Sequence, residues 1–132
     1  MRPRRPTSSL RFLSLIAALI TLVVGGVAAV EQSKRDVTVV GHKYTYDIAG
    51  ANEPVIRVRV DDLVNVTFSV SDIAHTFTIS DDHYRIDKRA EPGKPVTFGF
   101  RASDAGEFEI RCTLSTDARC AKEMRGKLIV TK

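Results

Sequence analysis

The sequence predicts an all-β domain, with short strands in two packed sheets or a closed barrel. Three observations carry this. Apolar and polar residues alternate with period 2 along most of the chain after residue 36, as in strands with one buried face. Turn-forming clusters interrupt the alternation at short intervals. No helical period of useful length follows residue 30, except over "DARCAKEM" at 117–124.

The strands are justified in chain order. "VTVVG" at 37–41 and "YTYDI" at 44–48 open the domain. "VIRVRV" sets Ile56, Val58 and Val60 on one face and Arg57 and Arg59 on the other. "LVNVTFSV" turns Val64, Val66, Phe68 and Val70 inward. "HTFTI" at 75–79 and "YRIDK" at 84–88 follow. "VTFGF" buries Val96, Phe98 and Phe100, and "EFEIRC" buries Phe108, Ile110 and Cys112. "KLIVT" closes the chain with Leu128 and Val130 inward. The intervening "AGANEP", "DD", "SDD", "EPGKP" and "SDAG" are turn signals, and Pro92–Gly93 suits the centre of a type II turn. This makes eight or nine strands, and a domain of about 100 residues is enough for one such core.

Ahead of the domain stands a different segment. "MRPRRPTSSLR" carries four arginines and no acid, and residues 12–30 carry no charge. An uncharged run of this length reads as a hydrophobic helix, with the arginines kept on the cytoplasmic side. Residues 1–30 are therefore expected to be a signal peptide or a membrane anchor. "VAA" at 27–29 offers a cleavage site, and the run just reaches bilayer length. Residues 31–36 read as a polar linker and 37–132 as the folded domain. The domain would then face away from the cytoplasm, periplasmic or extracellular, either tethered through 12–30 or released.

The net charge of +4 comes from the leader. Four of the twenty basic residues lie there, which leaves sixteen basic residues against sixteen acidic ones from Glu31 onward. A neutral domain has no basic stripe for nucleic acid. There is no Ser-His-Asp order, phosphate loop or paired catalytic carboxylate, so a non-catalytic protein is expected.

The chemistry concentrates in four residues. His75 opens a strand and by parity shares a face with Phe77 and Ile79. Cys112 ends a strand on the same face as Phe108 and Ile110. Cys120 and Met124 lie in the segment that follows. One imidazole, two cysteine sulfurs and a thioether are candidates to converge at one end of the sandwich. Soft donors of this kind suit copper, above all Cu(I).

At these residues the chain resembles the cupredoxins, the fold of plastocyanin, azurin and the CuA domain of cytochrome oxidase subunit II. The resemblance runs from about Val37 to Lys132, through "HTFTI", "EPGKPVTFGF", "AGEFEIRC" and "MRGKLIV". It implies a cupredoxin-like Greek-key β-sandwich of about eight strands, one copper per domain, and electron transfer or copper handling. It also implies a redox or copper-transfer protein as partner. His75, Cys112 and Met124 match the family's first histidine, its cysteine and its methionine.

The chain departs from the family at one ligand. No histidine follows His83, and Cys120 stands where the second histidine belongs. Blue copper sites take two histidines, one cysteine and a weak axial methionine. CuA centres take two cysteines at closer spacing, with a histidine after them. Neither site carries over whole. The expected metal ligands are His75, Cys112, Cys120 and Met124, with Cu(I) favoured by the extra thiolate. His42 and His83 would replace the absent histidine only if the fold brought one of them close. The alternative is a metal-free β-sandwich binding module with a structural Cys112–Cys120 disulfide. An even cysteine count in an oxidising compartment fits that reading, and the two states can also interconvert.

Overall fold

The computed structural model describes residues 3, 25–27 and 32–132. The 12–30 run, read as signal peptide or anchor, lies apart from 25–27 outside the described residues. Among the described residues no helix is long and apolar enough to cross a membrane.

Nine strands and one short helix make up the described domain. Sheet one holds β1 (Lys34–His42), β2 (Thr45–Ile48), β4 (Leu63–Val70) and β7 (Val96–Arg101) in the order β2-β1-β4-β7. Sheet two holds β3 (Val55–Arg59), β5 (His75–Ile79), β6 (Ile86–Ala90), β8 (Gly106–Arg111) and β9 (Arg125–Thr131) in the order β3-β9-β8-β5-β6. Helix α1 (Ala118–Glu123) joins β8 to β9. The pairs β1/β4 and β3/β9 are parallel, as expected where a chain crosses between two sheets.

The alternation read from sequence becomes the core. Val39, Val64, Val66 and Phe68 from one sheet face Ile56, Phe77, Ile79, Ile110 and Leu128 from the other, all buried. An aromatic chain Tyr46–Phe68–Phe77–Phe98 bridges the sheets, with successive ring centroids or near neighbours 5.3 to 6.2 Å apart. Burial pushes the Tyr46 phenol well above its ordinary range, and its hydroxyl donates to the Thr76 carbonyl at 2.6 Å. The "EPGK" turn forms as read: Gly93 has φ 76° and the Lys94 N–H donates to the Glu91 carbonyl at 2.9 Å.

Some details differ from the sequence reading. β1 begins at Lys34, inside the expected 31–36 linker, because Lys34, Arg35 and Asp36 pair in register with Leu63, Val64 and Asn65. β6 begins at Ile86 rather than Tyr84, since the Tyr84 N–H is committed to a turn through the Asp81 carbonyl. Val60, Val96 and Phe100 are only half-buried, at the rim of the core. β5 is buried on both faces: Thr113 and Asp87 cover the outward hydroxyls of Thr76 and Thr78.

Two residues outside the apolar pattern anchor the frame. Asp62 is buried and accepts from the Arg59 N–H at 2.9 Å, from Arg35 Nε at 3.4 Å and from the Ser33 hydroxyl. The Ser33 and Arg59 hydrogen bonds, helped by Arg35, hold its carboxyl below the usual range. The stability it confers is therefore full above the unfolded value of about 3.9 and is lost as pH falls through the lower folded value. Asp62→Asn is expected to cost about 2 kcal/mol at pH 7 by urea denaturation, with the gap from the parent closing below about pH 4. A gap constant across that range would show that the carboxylate charge is not what counts.

Gly126 is the other anchor. An added Cβ would lie 2.8 Å from the Pro54 carbonyl oxygen, the same oxygen that accepts from Lys127 N–H at 2.9 Å. Gly126→Ala is expected to lower stability by about 1–3 kcal/mol, as overpacking against backbone does. An unchanged denaturation midpoint would show that β3 and β9 part freely here.

Candidate metal centre

The four expected ligands arrive on three neighbouring pieces of chain. His75 is the first residue of β5, and its inward parity buries it completely. Cys112 follows β8, the neighbour of β5, and its inward parity buries it as well. Its N–H donates to the Met124 carbonyl at 3.2 Å, which carries the β8–β9 ladder one step past the strand ends. The Thr76 N–H points at Cys112 Sγ from 3.4 Å.

Helix α1 delivers the other two. Asp117 caps it, accepting from the Arg119 and Cys120 N–H groups at 3.0 and 3.3 Å. Arg119 forks onto Glu123 one turn later, at 3.0 and 2.9 Å, and its guanidinium lies 4.3 Å from the Tyr44 ring centroid. With its polar groups thus engaged outside, the six-residue helix turns one residue, Cys120, into the core. Met124 closes the helix, its N–H donating to the Cys120 carbonyl at 3.2 Å. It too is fully buried, and its methyl would lie 3.1 Å from a Cβ on Gly41, so the absence of a side chain there makes room for it.

The sulfurs of Cys112 and Cys120 are joined as a disulfide, with Cα atoms 5.3 Å apart. The ligand atoms of His75, Cys112 and Cys120 all lie within 4.8 Å of one another. The two ring nitrogens of His75 differ sharply. Nε2 meets Asp72 Oδ1 at 3.1 Å, whereas Nδ1 is buried and has no hydrogen-bond partner among the described residues. Buried polar atoms are nearly always paired, so an orphaned nitrogen on an imidazole grouped with two sulfurs is the kind of exception that asks for a function.

The surroundings are mixed in charge. Asp72 also accepts from the Lys43 and Ile73 N–H groups, both at 2.7 Å. Burial opposes its ionisation, but these two N–H groups and His75 outweigh that and leave its pKa lowered. Burial, then Asp117, pushes the Tyr44 phenol up. Tyr44 stands edge-on to His75 with ring centroids 6.2 Å apart.

Neither remaining histidine completes the group. His42 pairs with Asp47 on the surface, and His83 pairs with Asp81 at 2.7 Å. The Asp81 hydrogen bond and the nearby Asp104 raise the His83 pKa. Sequence reasoning missed Asp72, Thr76, Gly41 and Tyr44 as neighbours of the site. Only Asp72 had a local signal, three residues ahead of His75 at the entrance to β5.

Reduction would turn the disulfide into two thiols, whose thiolates stand with a His75 ring nitrogen within 4.8 Å, and the buried Met124 follows Cys120 by four residues. That set suits a soft metal, and copper fits it. Oxidised, the sulfurs are spent on one another, and the site is a covalent staple.

No protein-family model matches the chain, and no curated protein matches it by sequence. Solved structures do match. A chain of a heme-copper terminal oxidase dimer superposes with TM-score 0.64 at 18% identity, over 75% of this chain and 65% of that one. This chain thus spans just under two thirds of that relative. The periplasmic domain of subunit II of the cytochrome oxidase of Bradyrhizobium japonicum gives TM-score 0.64 at 16% identity, over 78% and 88%. A cytochrome c oxidase subunit II in mixed disulfide with a thioredoxin-like protein gives 0.61 at 17%, over 80% and 87%. Auracyanin A, a "blue" copper protein of Chloroflexus aurantiacus, gives 0.55 at 16%, over 75% and 100%. With the two-sheet topology, these matches establish a cupredoxin-like fold.

Proposed function

We propose that this chain is an extracytoplasmic copper-binding protein, a carrier in electron transfer or copper handling rather than an enzyme. One observation carries the reading: His75, whose Nδ1 is buried and partnerless, offers a ring nitrogen within 4.8 Å of both cysteine sulfurs. Cys112, Cys120 and His75 would hold one copper, and Met124 would add a weak thioether. The ion supplies a one-electron couple or is itself the cargo. Two thiolates favour Cu(I) over Cu(II), which weights the reading toward copper handling. The fold likeness to periplasmic and copper-binding domains supports the placement outside the cytoplasm.

The disulfide makes binding conditional. Two electrons and two protons convert Cys112–Cys120 into two thiols, and a partner dithiol supplies them while closing to its own disulfide. A thioredoxin-like protein is the partner class proposed, in line with the mixed disulfide formed by a structural relative. Cu(I) then displaces the thiol protons, so uptake weakens as pH falls.

The completed disulfide favours a second reading. A fully buried bridge across seven intervening residues contributes about 2–3 kcal/mol on its own and needs no metal. One experiment separates the two. Full-length protein is reduced under anaerobic conditions and titrated with Cu(I) against a chromophoric chelator. One tightly held copper per chain supports the proposal, with uptake abolished after reoxidation. No uptake by protein with both thiols free leaves the structural staple and a metal-free binding module.

A further inference from the structure

We infer that Asp72 is a positioning residue that fixes His75 in the tautomer with a bare Nδ1, the nitrogen left free to bind a metal beside the two sulfurs. The consequence for copper rests on the reading above, but the tautomer does not. The loop 71–74 precedes β5, and Asp72 there is tied down at both oxygens. Oδ2 accepts from the Lys43 N–H and Oδ1 from the Ile73 N–H, both at 2.7 Å. Oδ1 also faces His75 Nε2 at 3.1 Å. An ionised carboxylate only accepts hydrogen bonds, so the proton of a neutral His75 ring sits on Nε2. The lone pair is then on Nδ1, the buried and unpartnered nitrogen of a ring grouped with the two cysteines.

The arrangement is the carboxylate–imidazole pair that orients metal-binding histidines and makes the free nitrogen a better donor. Its backbone tethers come from β1's end and from its own loop, so the carboxylate holds its place whether or not the sulfurs are bonded. An unpaired buried nitrogen costs stability in the oxidised protein. Asp72 therefore keeps the ring in a state that serves the reduced form.

The test begins on oxidised, metal-free, full-length protein at pH 8, by long-range proton–nitrogen correlation of the imidazole rings. The expected result is a His75 with Nε2 protonated and Nδ1 bare. Asp72→Ala should populate the other tautomer, and Asp72→Asn should restore the first, because its amide oxygen can still accept from Nε2. After reduction, Cu(I) affinity should fall about 10–100-fold in Asp72→Ala and less in Asp72→Asn. If Asp72→Ala does not fold, the Asp72→Asn affinity and the parent tautomer still decide. A proton on Nδ1 in the parent overturns the inference whatever copper does. An unchanged tautomer in folded Asp72→Ala overturns it too and leaves Asp72 as a loop tether. The expected tautomers with no copper uptake by any variant support the positioning role and reject the copper reading instead.

Discussion

Under the copper reading, reduced protein carrying Cys112→Ser is expected to lose Cu(I) affinity by well over the roughly 10–100-fold that a change outside the ligand set costs. Cys120→Ser does the same. Each removes one of two thiolates, soft anionic donors grouped with His75 within 4.8 Å. His75→Ala should weaken Cu(I) less, since both thiolates remain. Met124→Leu should weaken it least, and its nearly equal volume should keep the stability change under about 1.5 kcal/mol. The ranking is measured by competition with a chromophoric chelator under anaerobic conditions. The oxidised state gives an internal control. Both serine variants lose the bridge and about 2–3 kcal/mol under either reading, so stability alone decides nothing. Parent-like copper binding by Cys120→Ser would remove Cys120 from the site, despite its standing at the position of the absent histidine.

Much of the fold was legible because period 2 leaves little freedom. Once Val64, Val66 and Phe68 face inward, a one-residue slip would expose all three. The same parity placed His75 and Cys112 inside, although each sits at the very end of a strand's pattern. Helix α1 was legible only in outline from "DARCAKEM", since a six-residue helix depends on its Asp117 cap more than on any period. Gly41 was out of reach, and Asp72 was marked only by its place three residues ahead of His75. Their roles come from loop 71–74 meeting β1 and from Met124 lying over β1, both long-range encounters that no local pattern encodes. The bonding of Cys112 to Cys120 was one of two options that the sequence leaves open, because an even pair eight residues apart fits a staple and a ligand pair equally.

Phe77→Ala should be the most damaging substitution in the core, costing about 3–5 kcal/mol. Phe77 sits on β5, and its ring meets Tyr46 at 6.1 Å, Phe68 at 5.9 Å and Phe98 at 5.3 Å between centroids. Those partners belong to the opposite sheet, so truncation opens a cavity where the two layers join. Phe108 is a useful comparison. It lies at the margin of the core, with Tyr84 at 4.6 Å and exposed His83 at 6.3 Å as its aromatic neighbours. Its neighbours can close in on the gap, so Phe108→Ala should fall toward the lower end of the same range. Urea denaturation of the full chain under oxidising conditions gives both values with the disulfide intact. Phe77 also lies two residues from His75 on the same face, so the cavity loosens the strand that aims the imidazole. Phe77→Ala should therefore weaken Cu(I) binding as well, whereas Phe108→Ala should leave it near parent level. A Phe77→Ala loss below that of Phe108→Ala would move the centre of the core away from β5. Parent-like copper affinity in folded Phe77→Ala would show that the Asp72 tether alone is enough to hold His75 in place.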